Sequence, residues 1–169
     1  MSTILKAISA TVELETVASA EQAFAHIVPI DLTSIFTGYG PLPAVTGTFN
    51  QTGAWDAVGQ TRTVGLSDGS SATELMTGYA PSSYFSYTVS GFTGSLRFLA
   101  NSAHGEWWFN RNPLSGKTRI TWRYQFNPRS KLAIPALWLI TKMLWRAYMN
   151  KALILSNEQI LTLSKNRGL

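Results

Sequence analysis

The sequence contains no cysteine. This absence excludes disulfide bonds, thiolate metal ligands and a cysteine nucleophile. The fold must therefore be held by packing, and the 169 residues include six Trp, six Tyr and eight Phe. A chain of this length can bury a sizeable core without covalent staples, so we predict one domain over residues 1–169.

Acidic residues are also scarce, with nine Asp and Glu against fourteen Lys and Arg, which gives a net charge of +5. The basic residues are spread through the second half of the chain rather than gathered into one run. Since no nucleic-acid-binding motif accompanies them, we predict no nucleic-acid partner. The N-terminus lacks the continuous apolar segment of a signal peptide, which predicts a cytoplasmic protein.

Motifs for cofactors and metals are missing as well. Gly38-Tyr39-Gly40 lacks the third glycine of a dinucleotide-binding loop and leads into prolines. The two histidines, His26 and His104, fall in a predicted helix and a predicted strand, so convergent metal ligands are few. We predict no cofactor and no metal site, and the sequence allows either a monomer or a homodimer.

The first third of the chain predicts one strand followed by two short helices. Residues 11–17 alternate apolar and acidic side chains, which is typical of a half-buried strand. Ser19 and Gln22 form a capping box before an apolar stretch, and a second short helix is predicted at 32–36. Residues 38–53 are rich in Gly and Pro and predict an irregular loop over the mouth of a pocket.

The middle of the chain predicts five or six further strands over residues 55–126, with Asp68-Gly69 as a two-residue hairpin turn. Residues 91–101 fit neither the two-residue period of a strand nor the 3.6-residue period of a helix, and they predict a bulged strand or a short helical insert. In the last two strands, pairing of Trp107 near Trp122 would build one apolar face. The members of that face are Trp107, Phe109, Ile120, Trp122, Tyr124 and Phe126.

Residues 131–164 predict one helix of about 34 residues, roughly 50 Å long. Its apolar part, 132–141, is too short to span a membrane. Lys142, Arg146 and Asn150 form a polar stripe. That stripe is either a solvated face or a surface for transient contact with a membrane during ligand pick-up.

This order of elements predicts an α+β fold in which a curved antiparallel sheet of six to seven strands encloses a long C-terminal helix. A sheet bent around one helix leaves space between them, and a lining of large aromatic side chains with a few polar groups makes that space a candidate ligand cavity.

Four strings of residues, in this order and spacing, resemble the START-like (SRPBCC) superfamily, especially its polyketide cyclase/dehydrase-like branch. They are Thr11 to Thr16 with Ala18 to Phe24, Val58 to Val64 leading to Asp68-Gly69, Thr73 to Tyr87, and Gly116 to Trp122. The resemblance covers about residues 10–164. It implies a helix-grip fold with an internal cavity for hydrophobic ligands such as lipids, sterols, polyketides or plant hormones, but no single activity.

Glu74 has the best claim to a polar role in the cavity, because it shares a predicted strand face with Met76 and Tyr87. It would act there as an acid or base, or it would pair with Arg62 and hold the sheet together. A literal two-residue hairpin at Asp68-Gly69 sets Arg62 on the opposite face, so a buried pair would need a bulge. His104 is the second candidate catalytic group.

Ten residues are predicted to contact the ligand, most of them aromatic. They are Arg62, Glu74, Met76, Tyr87, Trp107, Phe109, Trp122, Tyr124, Trp138 and Trp145. Three functions fit this pattern. The first is binding or carriage of an apolar small molecule, the second is a cyclase or dehydratase enzyme, and the third is a protein-interaction domain whose groove is filled by its own side chains.

Overall fold

A computed structural model describes residues 5–166. Its main element is a seven-stranded antiparallel sheet in which the strands lie in the order β1-β7-β6-β5-β4-β3-β2. The strands are β1 Ile8–Thr16, β2 Val45–Phe49, β3 Thr61–Leu66, β4 Ser71–Ala80, β5 Tyr84–Ser90, β6 Ala100–Arg111 and β7 Thr118–Pro128. The predicted α+β fold is therefore confirmed, with the upper of the two predicted strand numbers.

Between β1 and β2 the chain forms helix α1 (Ala20–Ile27) and a 3-10 turn (Leu32–Ser34). The Ser19 side chain accepts a hydrogen bond from the Gln22 backbone, and the Gln22 side chain accepts one from the Ser19 backbone. This confirms the predicted capping box, which satisfies two backbone N–H groups that the first turn leaves unpaired. Both predicted short helices are present, although the second is only a 3-10 turn.

A C-terminal helix runs from residue 131 to residue 166 and confirms the predicted long helix. It begins with a 3-10 turn (Lys131–Ala133), continues through α2 (Ile134–Leu139) and a π-helical segment (Ile140–Trp145), and ends with α3 (Arg146–Asn166). The Thr141 hydroxyl donates to the carbonyl of Leu137 at 2.7 Å within the wider turn. In residues 5–166 no helix has both the length and the apolar character needed to cross a bilayer.

Two irregular regions take a definite form in the structure. The predicted loop 38–53 contains the edge strand β2, so only part of it is irregular. The segment 91–101 contains a 3-10 helix at Ser95–Phe98 before β6 begins, which confirms the predicted helical insert.

The β3–β4 hairpin differs from the predicted two-residue turn. Leu66 pairs with Ser70, so the loop has three residues, and its last residue, Gly69, has a φ of 80°. A turn followed by a left-handed residue is the bulged form of a three-residue hairpin. As a result, Arg62 lies directly opposite Glu74 in the ladder, and both side chains lie on one face.

Candidate ligand cavity

A cavity of about 330 Å³ lies between the concave face of the sheet and the C-terminal helix. Its wall is formed by strands β2 to β7, the end of α1, the loop that precedes β2, the segment before β6 and the C-terminal helix. Most of the wall is apolar. The aliphatic members from the sheet and helix are Val45, Val64, Leu66, Ala72, Val89 and Ile140.

Aromatic rings form the centre of the wall. Trp107 and Trp122 lie directly opposite each other on β6 and β7, and their rings stack with centroids 4.4 Å apart. From the helix, Trp145 packs against Tyr124 at 4.9 Å and stacks with Phe36 at 6.2 Å. The wall is therefore a continuous aromatic surface that joins the sheet to the helix.

Arg62 and Glu74 form the ionic part of the wall. The Arg62 Nε atom donates to Glu74 Oε2 at 2.7 Å, and only 7 % and 11 % of the two side chains are exposed. A charge buried this deeply needs a partner, because removal from water costs several kcal/mol per ion. The pair lies in the cavity wall, so Glu74 both borders the cavity and is paired with Arg62.

Trp55 lies beneath this pair. Its ring is buried, and the guanidinium carbon of Arg62 lies 4.1 Å from the ring centroid, which is a cation–π contact. Trp55 has a φ of 60°, a conformation that bulky residues rarely adopt. The strained backbone conformation therefore occurs at Trp55, the residue whose ring orients Arg62.

Two tyrosines supply the uncharged polar groups of the cavity. Burial raises the pKa of the Tyr87 hydroxyl and that of the Tyr124 hydroxyl, and the nearby negative charge of Glu74 acts in the same direction on both. Both phenols therefore remain protonated at neutral pH. The ring centroids of Tyr87 and Tyr124 are 6.4 Å apart, so the two residues border the same region of the cavity.

Gly105 makes room for one of these rings. An added Cβ on Gly105 would lie 2.6 Å from the Tyr87 hydroxyl oxygen and 2.8 Å from a ring carbon. The Tyr87 ring therefore packs flat over the backbone of β6 at the position opposite Gly105 in the ladder.

The loop that precedes β2 is tied to the C-terminal helix. The Gly38 backbone N–H donates to the Tyr148 hydroxyl at 2.8 Å, and that hydroxyl donates to the Pro43 carbonyl at 3.0 Å. The Lys151 ammonium donates to the Gly38 carbonyl at 3.0 Å. Since Pro41 to Pro43 line the cavity, these bonds hold part of its wall in place.

The structure brings seven of the ten predicted ligand contacts together in the cavity wall. They are Arg62, Glu74, Tyr87, Trp107, Trp122, Tyr124 and Trp145. Met76 and Phe109 are wholly buried but lie in the core outside that wall. Phe109 packs against Phe24 of α1 at 5.4 Å, because α1 covers that end of the sheet.

Two predicted site residues lie elsewhere. Trp138 is 52 % exposed and lies on the outer side of the C-terminal helix, so its expected place in the cavity is corrected. His104 lies on the outer face of β6, where its Nδ1 atom is 3.2 Å from the Thr88 hydroxyl. The strand alternation that points Ala103 and Gly105 inward turns His104 away from the cavity.

Four residues that shape the cavity were not predicted from the sequence, namely Trp55, Gly105, Phe36 and Tyr148. Gly105 did carry a signal, since a glycine within a strand often marks close approach of another group. Trp55 lies in an irregular segment, where no periodicity assigns a face, and Phe36 ends the predicted helix 32–36, which is too short for its period to assign one.

Comparisons with known proteins were made on sequence and on structure. No family model matches the sequence, and no curated protein matches it. Solved structures do match over nearly the whole chain. Ara h 8.0201 is 13 % identical with a TM-score of 0.62 and covers 93 % of this chain and 99 % of its own.

Two further structures give the same result. XoxI from Bacillus cereus is 16 % identical with a TM-score of 0.62, covering 93 % of this chain and 98 % of its own. A Thalictrum norcoclaurine synthase point mutant, in complex with a transition state analogue, is 10 % identical with a TM-score of 0.64, covering 95 % and 99 %. At these identities the likeness concerns the fold. The chain therefore has the helix-grip fold that these solved structures share.

Proposed function

We propose that this protein binds and carries an apolar small molecule in the cavity between its sheet and its C-terminal helix. The observation that supports this proposal is the cavity of about 330 Å³ with its aromatic wall and few polar groups. Such a space is the usual form of a small-molecule site. Lipids, terpenoids, polyketides and other aromatic compounds are the ligand classes that it suits.

Burial of the ligand supplies the affinity. Removing ~300 Å² of apolar ligand surface from water, at roughly 25 cal/mol per Å², contributes about 7 kcal/mol before the costs of association. This value fits a carrier that binds in the micromolar range and also releases its ligand.

An enzyme of the cyclase or dehydratase type is the weaker candidate. Its general acid or base was expected to be Glu74 or His104. The Glu74 carboxylate is held by Arg62 at 2.7 Å, and His104 lies on the opposite face of the sheet. Neither group is therefore free to move a proton within the cavity. The open volume of the cavity likewise argues against a groove filled by its own side chains.

The cavity proposal is tested by thermal shift and native mass spectrometry against fatty alcohols, sterols, terpenoids and aromatic polyketides. We expect at least one class to raise the midpoint of unfolding and to appear as a bound species. Ala72→Phe places a ring in the cavity wall and should abolish that shift. Thr73→Phe, the next residue on the outer face, is the matched control.

We further propose that the protein loads its ligand at an anionic membrane surface. Four exposed apolar side chains, Leu132, Trp138, Leu139 and Met143, form what we call the outer ridge. Ile140, within the same stretch, belongs to the cavity wall. The neighbouring cations Lys131, Lys142 and Arg146 complement anionic lipid headgroups, and Trp is suited to the interface itself.

Vesicle sedimentation tests the ridge. We expect binding to vesicles of mixed zwitterionic and anionic lipid, and several-fold weaker binding to purely zwitterionic vesicles. Leu139→Ser should reduce the bound fraction, whereas Leu114→Ser should not, because Leu114 is an even more exposed leucine but lies in the β6–β7 turn at the other end of the sheet. Equal binding by the two variants would remove the ridge from the proposal.

A further inference from the structure

The two buried charges in the cavity wall cancel. Arg62 is the one cationic side chain among the described residues that line the cavity, and its partner Glu74 lies 2.7 Å away. The remaining carboxylate, Asp68, lies in the exposed β3–β4 hairpin, where it accepts hydrogen bonds from Ser70. The interior therefore offers no uncompensated positive charge to a ligand.

The buried surroundings of Tyr87 and Tyr124 disfavour an anion. Burial is the main cause of the raised pKa of Tyr87 and of Tyr124, and the negative charge of Glu74 adds to it at both, while Arg62 opposes Glu74 at Tyr87. Among the described residues, the Tyr124 hydroxyl has no hydrogen-bond partner. A protonated phenol can donate to a neutral acceptor oxygen, whereas a ligand carboxylate placed there would lose its hydration and find Arg62 already paired with Glu74.

We propose that the Arg62–Glu74 pair makes the cavity selective for uncharged ligands that carry a hydrogen-bond acceptor, such as ketones, esters, quinones or alcohols, and excludes carboxylates of the same shape. This inference rests on the proposed binding function and names its ligand class. Glu74 is thus the residue that determines specificity, because Arg62, which it neutralises, is the only buried cation within residues 5–166 that a carboxylate could use.

The overall charge makes the test stringent. The chain carries a net charge of +5, which attracts anionic ligands at long range. A preference for neutral ligands must therefore arise inside the cavity. Measurement at 0.15 M salt limits the long-range attraction further.

The experiment uses displacement of the uncharged fluorescent probe N-phenyl-1-naphthylamine. Ala72→Phe first establishes that the probe occupies the cavity. Decanol, methyl decanoate and decanoate are then compared as competitors at pH 8. We expect decanol and methyl decanoate to displace the probe at concentrations at least tenfold below that of decanoate.

Two variants then test whether Glu74 causes the selectivity. Glu74→Gln leaves the Arg62 charge uncompensated, so decanoate should gain at least tenfold relative to methyl decanoate. Glu106→Gln is the matched control, because it removes one charge and disrupts the Arg123–Glu106 ion pair on the outer face of the sheet. It should leave the ratio unchanged, and circular dichroism confirms that each variant is folded.

The outcomes separate the two proposals. Failure of the probe to bind, or binding that Ala72→Phe leaves intact, overturns the binding function and this inference with it. Cavity binding with decanoate as effective as methyl decanoate retains the function and overturns the selectivity. The wild-type comparison decides this point even where Glu74→Gln does not fold.

Discussion

At the scale of single residues, Gly105 determines where the ring of Tyr87 can lie. A methyl group at this position would overlap the phenol, since the distance to its oxygen would be 2.6 Å. We expect Gly105→Ala to lower the free energy of unfolding by about 1–3 kcal/mol, the usual cost of overpacking, and to weaken probe binding. Urea denaturation and fluorescence titration measure the two effects.

A double-mutant cycle shows whether Tyr87 is the cause. In a Tyr87→Ala background there is no ring to displace, so Gly105→Ala should cost much less free energy. An equal cost in both backgrounds would place the strain elsewhere in β6.

The buried tyrosines also set the response to alkaline pH. Burial raises the folded-state pKa of Tyr124 above its ordinary value near 10, so the folded protein keeps a proton that the unfolded chain loses. The stabilisation is complete below pH 10 and decreases as the pH rises above it. We expect the free energy of unfolding to fall less steeply between pH 10 and 12 in Tyr124→Phe, as measured by urea titrations. Parallel slopes in the two proteins would contradict this account.

At the scale of elements, the loop before β2 depends on two side chains of α3. Tyr148→Phe removes both hydrogen bonds to Gly38 and Pro43, each worth roughly 1 kcal/mol. We expect faster amide exchange in residues 37–44 and faster ligand release, while the fold is retained.

Tyr39→Phe is the control for this prediction, because Tyr39 stacks on Tyr148 but lies in the loop with a partly exposed ring. Hydrogen exchange followed by mass spectrometry measures the loop directly. Unchanged exchange in Tyr148→Phe would show that the two hydrogen bonds of Tyr148 do not limit opening of the loop.

The strands of the cavity wall were predictable because alternation with period two assigns faces without knowledge of the fold. It placed Trp107, Trp122 and Tyr124 on one surface, as observed. The Arg62–Glu74 pair depends instead on one extra loop residue after Leu66. Asp68-Gly69 fits either hairpin, so the choice of face could not be decided locally.

The helix was predictable in extent but not in orientation. Residues 132–141 are apolar almost all round, so a period of 3.6 could not decide whether Trp138 faces inward or outward. The π-helical segment then changes the phase of the residues that follow. Contact between Trp55 and Arg62 depends on an irregular loop with a positive φ, for which the sequence offers no periodic signal.

At the scale of the whole molecule, ligand binding must stabilise the fold. A ligand present at one hundred times its dissociation constant adds about 2.7 kcal/mol. For a chain of this size that raises the midpoint of thermal unfolding by about 5–11 °C. Calorimetry with and without the best competitor checks this value, and Ala72→Phe should show no shift.

The strand order has a consequence for synthesis. Strand β1 pairs only with β7, so Glu13 and its partner Thr121 are 108 positions apart. While the chain emerges from the ribosome, β1 has no partner until almost all of the sheet has been made. Its acidic residues, Glu13 and Glu15, lie on the face turned from the core, and such charges keep an unpaired strand from joining strands of other chains. The first strand to be synthesised is thus the last to be paired in the sheet. Until then, its own acidic residues disfavour intermolecular strand pairing.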